Sequence, residues 1–268
     1  MKNKLHMTIS EFSHITGIKP ENLRYYDQIK LLSPDCRGDN GYRYYTRSQL
    51  NTAYLIVSLR DIGIGIDEIR RYVQSRTPEK LFSLFNTQRA QILNEIKKLQ
   101  VTLEIMNLYT TMASTALTHK ENEIFIERKK KEPILLGPVI LDKTSDDSFI
   151  SFYDFVSEKG FNLGYPLGVI VSKENLQDNT PLLPLKYYFK VESNENSYKP
   201  EGDYAVIYGR CAYGESDYLY EKLFSFIKEN NLIICGNAYE EYPLNELSIL
   251  DENKYCVRIE IMVSPSSL

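Results

Sequence analysis

The sequence predicts a multidomain α+β chain with an N-terminal winged helix-turn-helix, a long coiled-coil dimerisation helix, and a C-terminal duplicated α+β domain built on an antiparallel sheet. Three observations carry that prediction. Two short amphipathic segments flank Gly17 and lead into a turn-rich stretch; apolar residues then recur every seven positions; and beyond residue 132 short β-type runs and amphipathic helices follow one another in an order that repeats. The expected divisions are 1–77 for the winged domain, 78–118 for the coiled-coil helix, 119–132 for a linker and 133–268 for the duplicated domain.

The first helix is expected over "TISEFSHIT" (8–16), with Ile9, Phe12 and Ile15 on one face and Thr8 and Glu11 forming a capping box. Gly17 permits a tight turn, and Pro20 suits the first position of a second helix, where its missing N–H costs nothing. On that helix Leu23, Tyr26 and Ile29 should face inward. "SPDCRGDNGYRYYTRSQL" follows, its Pro34, Gly38, Asp39, Asn40 and Gly41 marking the turn of a hairpin, or wing. Thr46 is placed to cap the next helix, which carries Leu50, Ala53, Tyr54, Val57 and Leu59 at helical spacing. Another helix begins at "GIGIDEIRRYVQ".

From Pro78 the chain should form one long helix in which Phe85, Ile92, Leu99 and Met106 repeat every seven residues, with Ile96 and Leu103 between them. Such a stripe is not buried by a lone helix. A second copy of the chain would cover it, giving a homodimer; folding back onto the same chain is the alternative. Beyond Pro133, "PILLGPVIL", "PLGVIVS", "YYFKV", "YAVIYG" and "YCVRIEIMV" read as strands, and "SDDSFISFYDFVSEKG" and "ESDYLYEKLFSFIKENN" as helices. Strand, helix, strand, loop, strand occurs twice.

Charge separates the halves. Residues 1–131 hold 21 Lys+Arg against 14 Asp+Glu, and residues 132–268 hold 11 against 22, so the first half suits a polyanion such as double-stranded DNA and the second attracts cations. No run approaches the roughly 20 apolar residues of a membrane span, and the start lacks a secretory core; a cytoplasmic protein with no membrane partner is expected. The four cysteines are scattered with no CxxC pair, which argues against a metal centre, a disulfide framework or any cofactor held by thiolates.

Both aromatic–arginine clusters fall in the basic half. On the second helix Arg24 and Tyr25 point away from Tyr26, and the wing repeats the chemistry with Arg43, Tyr44 and Tyr45. Arginine offers a planar fork to guanine or phosphate, and a tyrosine hydroxyl donates to phosphate oxygen without adding charge. The two clusters can therefore grip one duplex from two sides.

The runs "TISEFSHITGIKPENLRYYDQIKLL", "GYRYYTRSQL" and "LRDIGIGIDEIR", followed by a long helix, resemble the MerR family of bacterial transcription regulators over residues 7–112. The resemblance implies a dimer, joined by an antiparallel coiled coil, that binds a promoter with an overlong spacer and distorts it so that RNA polymerase meets both recognition elements in register. It maps DNA contacts onto Arg24, Tyr25, Arg43, Tyr45 and Arg60, with Thr8 or Ser10 near a phosphate and Lys19 beside the recognition helix. The cysteines of the metal-sensing members have no counterpart between Cys36 and Cys211.

The second half resembles the duplicated effector-binding domain of the BmrR-like multidrug-responsive members and of gyrase-inhibitory (GyrI-like) proteins, on the duplication and on "NAYEEYPL". That likeness implies a glutamate at the floor of an aromatic pocket for lipophilic cationic small molecules. Glu240 with Tyr242 takes that place, with Tyr255 at the start of the last strand. Candidate walls are Phe149, Tyr153, Tyr165, Tyr187 or Tyr188, and Tyr208 or Tyr213; Glu241, Glu192 and Glu260 compete with Glu240. Tyrosine faces around a carboxylate attract a delocalised cation at about 0.5 to 2 kcal/mol per ring without specific hydrogen bonds. The alternatives are a neutral ligand, a protein partner, or hydrolysis of a small molecule, though no nucleophile–base pair marks an enzyme.

Overall fold

The N-terminal helix α1 (Ile9–Thr16) starts at a complete capping box: the Thr8 side chain accepts from the Glu11 N–H, and the Glu11 carboxylate accepts from the Thr8 N–H at 2.7 Å. It ends at Gly17, whose φ of 72° lies in the left-handed region that glycine adopts without strain. The computed structural model describes residues 6–140, 147–178 and 182–266, without the side chains of 147 and 148. The chain divides into two units, one up to Lys97 and one from Lys98.

In the first unit α1 is followed by α2 (Pro20–Gln28), with proline in its first turn, then α3 (Gln49–Asp61) and α4 (Ile66–Gln74). Strands β1 (His6–Thr8), β2 (Cys36–Arg37) and β3 (Arg43–Thr46) form a small sheet in the order β1-β3-β2, so the wing hairpin gains a third strand that the sequence did not announce. Phe12, Leu23, Tyr26, Ala53, Ile56, Leu59 and Ile69 fill the core. Three expectations are corrected here. Ile15 is exposed, and the buried place goes to Thr16, whose hydroxyl donates to the Phe12 carbonyl at 2.7 Å. Thr46 does not cap α3, which starts after Ser48; the Thr46 N–H is instead taken by the Gln49 side chain at 2.9 Å. Tyr54 also turns outward, donating to the Ile15 carbonyl.

Helix α5 runs unbroken from Pro78 to Thr118. Its first turns belong to the first unit, where Leu84 joins the core and Gln88 donates to the Ile62 carbonyl at 2.9 Å. Every member of the predicted heptad seam, from Phe85 to Met106, is between 44% and 60% exposed, so none is buried within the chain.

Among the described residues the second unit holds an eight-stranded sheet: β4 (Ile124–Lys129), β5 (Glu132–Val139), β6 (Leu167–Val171), β7 (Lys186–Lys190), β8 (Ser197–Lys199), β9 (Gly202–Arg210), β10 (Leu232–Leu244) and β11 (Cys256–Pro265), in the order β4-β9-β11-β10-β6-β7-β5-β8. The repeat is plain in that order. In one half β5 pairs β7 and β7 pairs β6; in the other β9 pairs β11 and β11 pairs β10; β6 and β10 join the halves antiparallel. Helix α6 (Asp147–Glu158) follows β5 and helix α8 (Asp217–Glu229) follows β9, while the short α7 (Lys173–Gln177) lies between β6 and β7. The stretch 119–132, expected as a linker, contains β4, which pairs with β9 from Ile124 to Lys129 and so is part of the sheet. Residue 133 accordingly falls inside β5 rather than at its entrance.

Alternation along the strands sorts side chains to two faces. Ala205, Ile207, Ala238, Val257, Ile259 and Ile261 pack with Leu219 and Leu223 of α8, and Leu135 and Phe189 pack with Phe152 and Val156 of α6. Ile170, Tyr188, Tyr204, Val206, Tyr208 and Tyr239 point the other way. Gly168 lets the Tyr188 ring lie against the β6 backbone, where an added Cβ would meet that ring at 2.2 Å.

Candidate functional site

On α2 the motif Arg24-Tyr25-Tyr26-Asp27 divides its work. Arg24 and Tyr25 are exposed, whereas Tyr26 is buried and its hydroxyl accepts from Nη1 of Arg60 at 2.9 Å. Asp27, whose role the sequence did not reveal, accepts from Nη2 of Arg37 at 2.6 Å and Nε of Arg43 at 2.7 Å. One carboxylate thus ties both strands of the wing to the second helix. Ser10, Lys19 and Arg60 are exposed and Tyr44 is half-buried. The Thr8 hydroxyl is engaged with Glu11 in the cap. Tyr45, expected at the duplex, is in the core, fully buried and stacked on Phe12 at 4.5 Å between ring centres. The tip of the wing carries Tyr42 instead, 60% exposed and not foreseen. His6, Asp35 and Cys36 assemble on the same small sheet, all exposed, with Nε2 of His6 hydrogen-bonded to Asp35.

The second unit contains a cavity of about 620 Å³ on the helix-bearing face of the sheet. Glu240 and Tyr242 of β10 line it together with Val169 and Val171 of β6, Tyr187 of β7, Phe149 and Tyr153 of α6, Tyr165, and Tyr213 from the loop before α8. The rings form two groups. Phe149 meets Tyr153 at 4.8 Å and Tyr187 at 5.7 Å, while Tyr213 meets Tyr242 at 4.4 Å. Sequence reasoning missed Tyr109 of α5, Tyr220 and Asp217 of α8, and Glu246 beyond β10, all of which line the same space.

Two expected wall residues lie elsewhere. Tyr208 is on the opposite face of β9, its ring stacked against His119, because it is one residue out of phase with Ile207. Tyr255 is buried in the α8 core and does not line the cavity; its ring centre lies 5.4 Å from that of Tyr213. Tyr188, the alternative to Tyr187, also faces away from the cavity.

The floor of the cavity is Glu240. Its carboxylate accepts from the hydroxyls of Ser216 at 2.9 Å, Tyr242 at 3.0 Å and Tyr220 at 3.3 Å. Burial raises its pKa above the ordinary carboxylate value, and the three hydroxyls only partly oppose that rise. Burial and the adjacent carboxylate push the Tyr220 and Tyr242 phenols up, so both remain donors. Among the described residues no Lys, Arg or His lines the cavity, and no cation lies within ion-pairing distance of Glu240.

The rival acids have other surroundings. Glu241, adjacent to Glu240, projects to the other face, where it accepts from Tyr188 at 2.8 Å and from Nζ of Lys190 at 3.3 Å. The ammonium and guanidinium groups of Lys190, Lys199 and Arg258 hold its pKa well below the usual carboxylate range despite complete burial. Glu260 pairs with Arg258 and Lys199 on the same face. Glu192 lies on an exposed loop, where its N–H donates to the Glu104 carboxylate of α5. Glu240 is therefore the buried acid of the cavity.

Residues 7–76 match the MerR HTH family regulatory proteins. The chain is 30% identical over 264 residues to the Multidrug-efflux transporter 2 regulator of Bacillus subtilis, covering 94% of each chain. With the Multidrug-efflux transporter 1 regulator of the same organism it shares 25% identity over 278 residues, 97% of this chain and 98% of that one. A cryo-EM structure of an EcmrR–DNA complex in EcmrR-RPo aligns with 97% of this chain and all of its own at 19% identity and a TM-score of 0.42.

Proposed function

The chain belongs to the MerR family of DNA-binding transcription regulators, and from that premise we propose that it senses a lipophilic cation in its second unit and answers by activating transcription at a promoter. One observation carries the ligand class: a buried carboxylate in an aromatic cavity with hydroxyls as its partners and, among the described residues, no cation. Leaving such a charge desolvated is costly, and a delocalised cation offsets that cost while the surrounding rings add attraction of their own. Two relatives are named as regulators of multidrug-efflux transporters, which agrees with a pocket that selects by charge and flatness more than by hydrogen-bond pattern. The second unit acts as a GyrI-like effector-binding domain.

The DNA side rests on Arg24 and Tyr25, exposed on α2, with Ser10, Lys19 and Arg60 exposed on the same unit. Arg43, pinned by Asp27, orients the wing, and its terminal nitrogens face phosphate. The exposed stripe of α5 pairs with that of a second copy, making the homodimer that binds two half-sites. Tyr109 sets the ligand against α5, so occupancy biases the arrangement of the dimer on DNA. The promoter has an overlong spacer, and its deformation lets RNA polymerase meet both elements, with the energy of bending and untwisting carrying the regulation.

The test is transcription in vitro from the promoter nearest the gene, with RNA polymerase and the purified regulator, with and without tetraphenylphosphonium or rhodamine. Cation-dependent activation that disappears in Glu240→Gln while promoter binding persists is the expected result. Promoter binding with no response to any cation would discard the cationic site and keep the regulator.

A further inference from the structure

Two acids besides Glu240 line the cavity, Asp217 at the start of α8 and Glu246. Glu246 sits just past the end of β10, at the rim, and its carboxylate accepts from the Tyr213 hydroxyl at 2.6 Å. Tyr213 in turn lies 4.4 Å from the ring of Tyr242, which donates to Glu240 at 3.0 Å. Two tyrosine rings therefore bridge a buried carboxylate on the floor and an exposed one at the mouth. Neither acid has a Lys, Arg or His partner among the described residues. Burial raises the phenols of Tyr109 of α5, Tyr153 of α6 and Tyr213 of the loop before α8, and the negative charge of Glu246 adds to the rise at all three.

We infer that the site takes an elongated dication, with one positive centre held by Glu240, an apolar spacer lying along the Tyr213–Tyr242 rings, and a second positive centre held by Glu246 at the mouth. The inference rests on the cation-sensing reading and narrows it to a ligand class. Its physical basis is that two carboxylates fixed in one cavity turn the second charge contact into an intramolecular event, whose effective concentration depends on spacer length. A monocation satisfies Glu240 and leaves Glu246 to water. The rim contact is solvent-exposed, so its contribution should be smaller than the floor contact and should fall with salt.

The experiment uses the full-length protein and two matched pairs of probes measured by isothermal titration: hexamethonium against hexyltrimethylammonium, and decamethonium against decyltrimethylammonium. The better-fitting bis-cation should bind about tenfold more tightly than its monocationic partner. Glu246→Gln should remove that advantage and leave the monocation affinity unchanged, whereas Glu240→Gln should weaken every probe. Tyr213→Phe, which keeps the charge and the ring but loses the hydrogen bond, should retain the preference. The advantage should shrink as salt is raised, more steeply than monocation binding. Equal affinity within both pairs, with the Glu240→Gln loss intact, overturns the dication and leaves the cation site standing; so does a Glu246→Gln effect that is the same for both members of a pair. Absence of binding by all four probes, with tetraphenylphosphonium also silent, overturns both readings together.

Discussion

Glu240 and Glu241 are neighbours on one strand, both buried, and the sheet gives them opposite fates. Glu241 faces Lys190, Arg258 and Tyr188 and titrates well below an ordinary carboxylate. Glu240 faces three hydroxyls and a cavity, and its pKa is raised. The face of Glu241 is internally neutralised, with Lys129, Lys190, Lys199 and Arg258 set against Glu127, Glu132, Glu241 and Glu260. The cavity face has acids and, among its described residues, no basic side chain. A buried acid with its own cation holds a structure together; one without a cation is available to a ligand. The pair teaches that burial alone does not separate a structural acid from a binding one, and that the partner does.

The largest effect should come from breaking the paired side. Glu241→Gln removes one member of a buried ionic network and leaves Lys190 and Arg258 undercompensated, and such a loss is expected to cost about 3 kcal/mol of stability. A urea titration measures it. Tetraphenylphosphonium affinity of the folded fraction should be unchanged; an affinity loss matching that of Glu240→Gln would dissolve the distinction between the faces.

Glu240→Gln should do the reverse. Removing the anion from beneath a bound cation is expected to weaken tetraphenylphosphonium by about 2 kcal/mol or more, roughly thirtyfold, with the unliganded protein no less stable at neutral pH. Thermal melts with and without the cation separate the two quantities. A variant that melts several degrees lower without ligand would show that Glu240 is structural after all.

The two acids also predict opposite pH slopes. Because the folded pKa of Glu240 is raised, its contribution to stability is complete below the ordinary carboxylate range and is lost as pH rises through the raised value. Glu241 has a depressed folded pKa, so its contribution is present above the ordinary range and is lost as pH falls toward the depressed value. Cation affinity should follow the deprotonated fraction of Glu240, rising as pH passes through its pKa and then levelling. Monocation titrations over a series of pH values upward from the ordinary carboxylate range read this directly, and a flat profile in wild-type protein would remove Glu240 from the site.

Much of this organisation was legible in advance because it follows from period and punctuation. Thr8, Glu11, Gly17 and Pro20 announce the first two helices, and the repeated strand–helix order announces the duplication that the pairing of β6 with β10 confirms. Within "YEEYPL" the alternation of two puts Glu240 with Tyr242 and Glu241 with Tyr239, but it does not say which face holds the cavity. The same ambiguity misplaced Tyr208 by one residue. Tyr109 is hidden from the heptad pattern because it lies off the seam, on another face of the same helix. Asp217 and Glu246 lie at a helix start and in a loop, where no period operates. Strand β4 was lost because its basic end, Arg128 and Lys129, looked like a solvated linker; Lys129 is in fact nine-tenths buried against Glu127 and Glu260.

The smallest effect extends the paired-acid rule to the first unit. Asp27 resembles Glu241 in kind: its side chain is mostly buried and it holds two cations, Arg37 and Arg43, one on each strand of the wing. If a paired acid is structural, Asp27→Asn should loosen the wing without touching the cavity, at a cost of about 1 kcal/mol in stability for weakened charge-assisted bonds. Promoter affinity should fall modestly, because Arg43 loses its anchor, while Arg24→Ala should cost about 1 to 3 kcal/mol in DNA binding with no stability change, since Arg24 is exposed. Cation affinity should be identical in both variants. Fluorescence anisotropy on promoter DNA, with urea melts in parallel, distinguishes them. Equal DNA losses with equal stability would mean that Asp27 acts at the duplex, and the rule that a cation-paired acid is architectural would then end at the boundary of the second unit.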